Sequence, residues 1–181
     1  SPLSLVFVSA CMGNGNNNST LNNASADNSS STGVNNAVTD FFVEGSVIKG
    51  PLFNALVGLD YDGDGNIDTA QVRTDENGNY SLPSSSSAYT VIAVTDGTTV
   101  DSSSGTVLSG VTLKAPQGAA VVTPATTLMI EGNLTANQIS DVLDLPDGVD
   151  PVSFNPFEIN ETDATQFANA LAVEKTSQQL L

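Results

Sequence analysis

Short runs of β-branched and aromatic residues, separated by turn residues, are the feature that most constrains how residues 41–117 can fold. In NALVGLD, apolar residues such as Val57 and Leu59 fall on every second position, which is typical of a strand with one buried face. AYTVIAVTDG carries apolar residues on both faces, as a central strand does. The Asn77-Gly78 pair predicts a tight hairpin between TAQVRT and NYSLP. About six or seven such strands predict a mainly β fold, a small β-sandwich.

Residues 118–181 show helical signals instead. Thr123 can cap a helix that begins at Pro124, because a threonine hydroxyl accepts from free backbone amides and proline suits the first helical position. Thr135 and Gln138 have the spacing of a capping box for a second helix. The sandwich is therefore expected to be followed by a short α-helical segment.

A third helix is predicted near the end of the chain, where Ala164, Phe167 and Leu171 recur at helical spacing. We expect this apolar stripe to pack in a core. The sequence reaches Leu181 without a helix-ending signal, so the segment is expected to be truncated there.

The first residues have a different character, with an apolar run from Leu3 to Val8 followed by Ser9, Ala10 and Cys11. An apolar run that ends in small residues is typical of the end of a signal peptide. The VSAC stretch resembles the bacterial lipobox, whose cysteine becomes the lipid-carrying N-terminus of the mature protein. This resemblance implies that residues 1–11 end a lipoprotein signal peptide, with Cys11 as the lipidation site. The alternative is a free or buried cysteine.

More than half of residues 12–40 are Asn, Ser or Thr. Such a segment has too little apolar surface to offset the entropy lost on ordering, so a disordered tether is predicted. A tether directly after a lipidated Cys11 would hold a domain away from a membrane. Met12 follows the cysteine, which by the same resemblance favours the outer membrane or cell surface as the destination in the cell envelope.

The charge of the chain excludes several functions. Four Lys and Arg residues against twenty Asp and Glu residues give a net charge of -16. Nucleic-acid binding needs basic groups that displace phosphate counterions, so nucleic acid is not expected as a partner. Histidine, the commonest general base and metal ligand, is absent. No sequence motif of a nucleophilic hydrolase, a metalloprotease or a phosphate loop occurs, and the chain is not expected to be an enzyme.

The stretch DYDGDGNID matches the first nine positions of the EF-hand loop, which alternates oxygen ligands around Ca²⁺. Gly65 takes the glycine position and Ile67 the aliphatic one. The alternative is a metal-free turn, since Asp, Asn and Gly favour turns in any case. The predicted calcium ligands of this stretch are Asp60, Asp62, Asp64, the backbone carbonyl of Asn66, and Asp68.

The last position of the loop departs from the pattern. Gln71 stands where an EF-hand has a bidentate Glu, and the flanking segments are predicted strands. Calcium loops of the DxDxDG type outside helix pairs are therefore the better resemblance. Asp75 or Glu76 is predicted to supply the missing ligand through the hairpin, and the affinity is expected to be weak.

A wider resemblance covers about residues 43–160, to the carboxypeptidase-regulatory-like, or transthyretin-like, β-sandwich modules of bacterial surface proteins. It implies an Ig- or transthyretin-like sandwich with an architectural or binding role. The matching residues are Gly45, Val47, Ala55, Val57, Thr74, Asp75, Asn77, Gly78, Tyr80 and Leu82.

Together these features predict a non-catalytic, lipid-anchored cell-surface module that is stabilised by calcium and belongs to a larger adhesin-like or binding protein. Its partners would be the membrane, through Cys11, and extracellular protein or glycan ligands. The alternative is an N-terminal accessory region of a secreted hydrolase whose catalytic domain lies beyond Leu181.

Overall fold

The computed structural model describes residues 41–86 and 88–180, which belong to one compact unit. The predictions for Cys11 and for the tether of residues 12–40 lie outside this range. The described residues form ten strands in three sheets and three helices. This confirms a mainly β fold, consistent with a small sandwich followed by helices. The elements are β1 (Phe41–Val47), β2 (Leu52–Phe53), β3 (Leu56–Asp60), β4 (Val72–Arg73), β5 (Asn79–Ser84), β6 (Thr90–Val94), β7 (Val100–Asp101), β8 (Thr106–Val107), β9 (Thr112–Pro116), β10 (Val121–Val122), α1 (Pro124–Gly132), α2 (Ala136–Val142) and α3 (Ala164–Gln179).

The largest sheet has four strands in the order β4-β3-β6-β9. Its strands are antiparallel, and β6 lies between β3 and β9 as its apolar sequence predicts. Val57 pairs with Ala93, which pairs with Leu113, and all three side chains are fully buried. This row forms one wall of the hydrophobic core.

The second sheet has the order β10-β1-β5 and supplies the other wall. Val43 pairs with Leu82 across the antiparallel β1 and β5, and both face the core. Val47 pairs with Val122 of β10, which runs parallel to β1. The sandwich thus reaches into the segment that begins at residue 118 and that the sequence predicts as helical. The third sheet, β2-β7-β8, is a short one beside these two.

The turn at Asn77 and Gly78 differs from the predicted hairpin. It joins β4 to β5, but β4 pairs with β3 and β5 pairs with β1, so the turn carries the chain from one sheet to the other. Gly78 has a φ of 80°, whereas Asn77 is not among the described residues with positive φ. Asp75 accepts from the Asn77 amide at 2.9 Å, which closes the turn through a side chain.

The first two helices begin where the sequence predicts. Thr123 and Thr126 form a reciprocal cap at the start of α1, with Pro124 in the first turn, and Thr135 and Gln138 form the predicted capping box of α2. Helix α1 covers the edge of β9, because Thr126 donates its hydroxyl to the Lys114 carbonyl at 2.7 Å. The hydroxyl thus satisfies a backbone carbonyl that would otherwise pair with a further strand at this edge.

The third helix is present, but its apolar stripe is not in the core. Phe167 is 54% exposed and Leu171 is 60% exposed, and Ala170 is the buried residue of α3. Helical spacing shows which residues share a face, and it does not show which face meets the sandwich. The expectation that this stripe packs in a core is therefore wrong.

Alanine at Gly78 is expected to destabilise the fold more than alanine at Gly118. The two glycines have φ of 80° and 78°, so both changes carry the cost of left-handed backbone, about 1 kcal/mol. A Cβ at Gly78 would lie 2.6 Å from the Val47 carbonyl oxygen, whereas at Gly118 no described atom lies within 4 Å. Because the contact is with strand backbone, overpacking adds about 1 to 3 kcal/mol for Gly78→Ala alone. Urea unfolding of both variants measures the difference, and equal losses would contradict the close approach.

Candidate metal centre

The acidic loop connects β3 to β4 and begins at Asp60, the last residue of β3. It folds back on that strand, because the Asp68 amide donates to the Leu59 carbonyl at 2.8 Å and the Leu59 amide donates to the Thr69 hydroxyl at 3.0 Å. These two bonds bring the first and last carboxylates of the loop to the same place.

Asp60 is the buried member of the loop, with 4% of its surface exposed. Its Oδ1 accepts from the Gly63 amide at 2.7 Å and its Oδ2 accepts from the Gly65 amide at 2.9 Å. Both glycines have positive φ, 79° and 87°, which allows a turn tight enough to aim both amides at one carboxylate. A buried carboxylate is costly unless it is hydrogen-bonded, and the loop backbone meets that need.

The other carboxylates are fixed by short local bonds. Asp62 Oδ1 accepts from the Asp64 amide at 3.0 Å. Asp68 Oδ2 accepts from the Tyr61 amide at 2.7 Å. Each of these two carboxylates is thus held by a backbone amide of the loop itself.

Three carboxylates come together in this way. Asp60, Asp62 and Asp68 each place a carboxylate oxygen so that the three oxygens lie within 4.8 Å of one another. The ion pairs of the described residues join Arg73 to Asp96 and Lys114 to Glu131, so neither neutralises this triad. Hard divalent cations prefer oxygen ligands, and the triad could hold such an ion.

Asp64 lies in the loop but is not one of the three. Its Oδ1 accepts from the Asn66 amide at 2.7 Å and its Oδ2 accepts from the Asn66 side-chain amide at 2.8 Å. These bonds lower the pKa of the Asp64 carboxyl below its usual value. Asn66 is thus bound to Asp64 through both its backbone and its side-chain nitrogen, and the structure does not bring Asp64 into the triad.

Asp75 and Glu76 lie in the turn between β4 and β5 instead of in the triad. Asp75 accepts from the Asn77 and Asn79 amides at 2.9 and 2.8 Å, so its carboxylate is used to close its own turn. The backbone carbonyl of Glu76 accepts from the Ser102 hydroxyl at 2.8 Å. Within the described chain, the group of converging carboxylates therefore does not include either candidate for the missing ligand.

Two supports of the loop were not recognised from the sequence. The Ile67 side chain packs against Gly58 of β3, where any Cβ would collide with it. Gly58 itself is the signal that could have shown this, because glycine inside a strand often marks a close approach.

The second support is Tyr61, which ties the loop to the end of β5 in the other sheet. The Ser85 amide donates to the Tyr61 phenol oxygen at 3.1 Å, and the hydroxyls of Tyr61 and Ser84 are 3.4 Å apart. Hydrogen bonds with these two serines lower the pKa of the Tyr61 phenol. Since β3 and β5 belong to different sheets, the loop connects both halves of the sandwich.

No protein-family model, curated protein or solved structure matches the chain. None of the helices in the described part of the chain is both long and apolar enough to span a bilayer.

In metal-free buffer, Asp60→Asn is expected to destabilise the protein by about 1 to 3 kcal/mol, because an amide NH₂ would face one of two backbone donors in a buried place. Asp62→Asn is the matched control. Its side chain is exposed and keeps an oxygen for the Asp64 amide, so its effect should stay within about 0.5 kcal/mol. Urea unfolding in EGTA compares the two, and similar losses would show that Asp60 does not organise the loop.

Proposed function

We propose that the chain is a non-catalytic, lipid-anchored cell-surface module, stabilised by calcium, within a larger adhesin-like or binding protein. The observation that carries this proposal is the triad of Asp60, Asp62 and Asp68, whose carboxylate oxygens converge on one place in a loop that contacts both sheets. A cation there would stabilise the sandwich directly.

The chemistry of the loop favours Ca²⁺ over other metals. The converging groups are carboxylates, and the chain has no histidine, so the soft and borderline metals that prefer nitrogen or sulfur are poorly served. Ca²⁺ accepts six to eight oxygens in flexible geometry, whereas Mg²⁺ needs a nearly ideal octahedron. A flexible Asp- and Gly-rich loop suits the more tolerant ion.

The proposed site is weak. The triad offers three carboxylates, and the bidentate Glu of an EF-hand is replaced by Gln71. Backbone carbonyls and water would complete the coordination. Extracellular modules of this kind have Kd values on the order of 10⁻⁴ to 10⁻³ M, which millimolar calcium outside a cell would occupy.

A structural role for the ion follows from where the loop lies. Three carboxylates held within 4.8 Å repel one another, and a divalent cation would turn that repulsion into attraction. Because Tyr61 and Ile67 fix the loop to β5 and β3, the free energy of binding would add to the free energy of folding.

Calcium at 10 mM is expected to stabilise the protein by about 1.4 to 2.7 kcal/mol for a Kd between 10⁻³ and 10⁻⁴ M. For a domain of this size, that corresponds to a rise in Tm of roughly 3 to 11 °C. Magnesium at the same concentration is the ionic-strength control and should give a much smaller rise. Thermal unfolding followed by circular dichroism measures both.

Variants make the calcium test specific. Asp62→Asn removes a triad carboxylate without disturbing the fold, so its Tm should no longer respond to calcium. Asp141→Asn removes the same charge from the exposed surface of α2 and should respond as the wild type does. An equal response of wild type and Asp62→Asn would show that the ion binds elsewhere, and no response of the wild type would refute the calcium proposal.

The proposed anchor depends on Cys11, since it is the only cysteine in the sequence. Expressed in a bacterial host with its complete leader, the wild type should incorporate an alkyne-labelled fatty acid and sediment with membranes. Cys11→Ser should lose both properties, because no other thiol can be lipidated. Labelling and membrane association that persist in Cys11→Ser would refute the lipid anchor without affecting the calcium proposal.

A further inference from the structure

Three Asn-x-Ser/Thr triplets, the acceptor sequence for N-linked glycans, lie in the described part of the chain, and they begin at Asn79, Asn133 and Asn160. Such triplets are frequent in a chain rich in Asn, Ser and Thr, so the surroundings of each triplet decide whether an enzyme can use it. Four further triplets lie outside the described residues and begin at Asn17, Asn18, Asn23 and Asn28.

The triplet at Asn79 is built into a sheet. Asn79 begins β5 and pairs with Ser46 of β1, whose hydroxyl donates to Asn79 Oδ1 at 2.7 Å. Asn79 Nδ2, the atom that would carry a glycan, donates to Asp75 at 3.3 Å. Tyr80, the middle residue, is buried in the core. An enzyme could reach this triplet only by separating β5 from β1.

The triplet at Asn133 joins α1 to α2. Asn133 is exposed and has a left-handed φ of 48° at the C-terminal end of α1. The last residue of the triplet, Thr135, caps α2. Its hydroxyl accepts from the Gln138 amide at 3.3 Å and donates to the Gln138 side-chain oxygen at 3.0 Å. The hydroxyl that an acceptor triplet must present is therefore in use, and its release would uncap the helix.

The triplet at Asn160 is exposed at all three residues. It forms the turn before α3, which the Asp163 amide closes by donating to the Asn160 carbonyl at 2.9 Å. Asn160 Oδ1 accepts from the Thr162 amide at 3.1 Å and from the Thr162 hydroxyl at 2.7 Å. The amide and the hydroxyl of the triplet thus lie side by side on the surface. Among the described residues, no group accepts a hydrogen bond from Asn160 Nδ2.

The helix cap at this turn does not depend on the triplet. Asp163 caps α3, because its side chain accepts from the Thr165 and Gln166 amides. The backbone amide of Asn160 donates to the Gln166 side-chain oxygen at 3.0 Å, which holds the turn through the main chain. Asn160 and Thr162 can therefore exchange their mutual hydrogen bond for one to an enzyme without uncapping a helix, unlike Thr135.

We propose that Asn160 is an acceptor for an N-linked oligosaccharide, and that the fold favours it over the other two described triplets. In the transfer, Asn160 Nδ2 forms a bond to the anomeric carbon of the sugar, and the bond from that carbon to the pyrophosphate of a polyprenyl-linked donor breaks. The pyrophosphate leaves with the bonding electron pair. Nδ2 gives up one proton to a base of the transferase, and nothing is oxidised or reduced. The product is a bulky, hydrophilic group on the turn before α3.

In a cell, the modification rests on the export that the proposed function includes, because acceptor triplets are used in secreted chains. It does not depend on calcium at the Asp60 loop. A test with purified components needs no export, so failure of the acceptor and failure of the proposed anchor can be told apart.

The test compares the triplets at Asn133 and Asn160, which both read Glu-x-Asn-x-Thr and so match even for an enzyme that also requires an acidic residue before the asparagine. The folded full chain is incubated with a polyprenyl-pyrophosphate oligosaccharide and a bacterial single-subunit oligosaccharyltransferase that modifies peptides covering residues 128–139 and 155–166. Site-resolved mass spectrometry measures each rate in the chain relative to that of its own peptide. The relative rate at Asn133 should be about two- to thirtyfold below that at Asn160, because Thr135 must first leave its helix cap. Asn79 should remain unmodified.

A pair of variants shows that the hydroxyl of the triplet is what the enzyme uses. Thr162→Ser keeps the hydroxyl, and Asn160 should still be modified. Thr162→Val keeps the shape of threonine without the hydroxyl, and modification of Asn160 should be lost. Position 162 is exposed, so both variants should retain the fold. Equal relative rates at Asn133 and Asn160, an unmodified Asn160 in the folded chain, or modification that persists in Thr162→Val would each overturn the proposal.

Discussion

The buried carboxylate of Asp60 is the constraint on which the loop, and with it one end of the sandwich, depends. A carboxylate that is 4% exposed must be satisfied by hydrogen bonds, and here two backbone amides supply them. Those amides belong to Gly63 and Gly65, whose positive φ lets the chain curl around the side chain. The first half of the loop, residues 60–65, is therefore organised around one acidic side chain.

The loop brings three carboxylates together, and the hydrogen bonds that they accept from backbone amides do not neutralise their negative charge. The triad is acidic, and the basic side chains in described ion pairs are committed to Asp96 and Glu131. Lys114 does approach the loop, with its ammonium 3.8 Å from the position that a Cβ on Gly65 would occupy. Its carboxylate partner among the described ion pairs is Glu131 of α1, at 2.6 Å, so it does not neutralise the triad. The triad could therefore hold a metal ion.

Much of the fold could be predicted from the sequence because its signals are local. The alternation around Val57 and Leu59, the apolar β6 and the caps at Thr123 and Thr135 each depend on residues a few positions apart. Features that depend on pairing between distant residues could not be predicted in the same way. Nothing near Asn77 shows that β4 and β5 belong to different sheets. That depends on the pairing of β4 with β3 and of β5 with β1.

The same limit applies to the site. Alternating aspartates predict convergence, and three of them converge, but the sequence could not show that Asp64 is satisfied by Asn66 or that Asp75 closes its own turn. At Asp64 and at Asp75, local hydrogen bonds and a metal ion would compete for the same carboxylate oxygens. A short-range bond forms with little loss of chain entropy, whereas bringing Asp75 to the triad requires the two turns to approach.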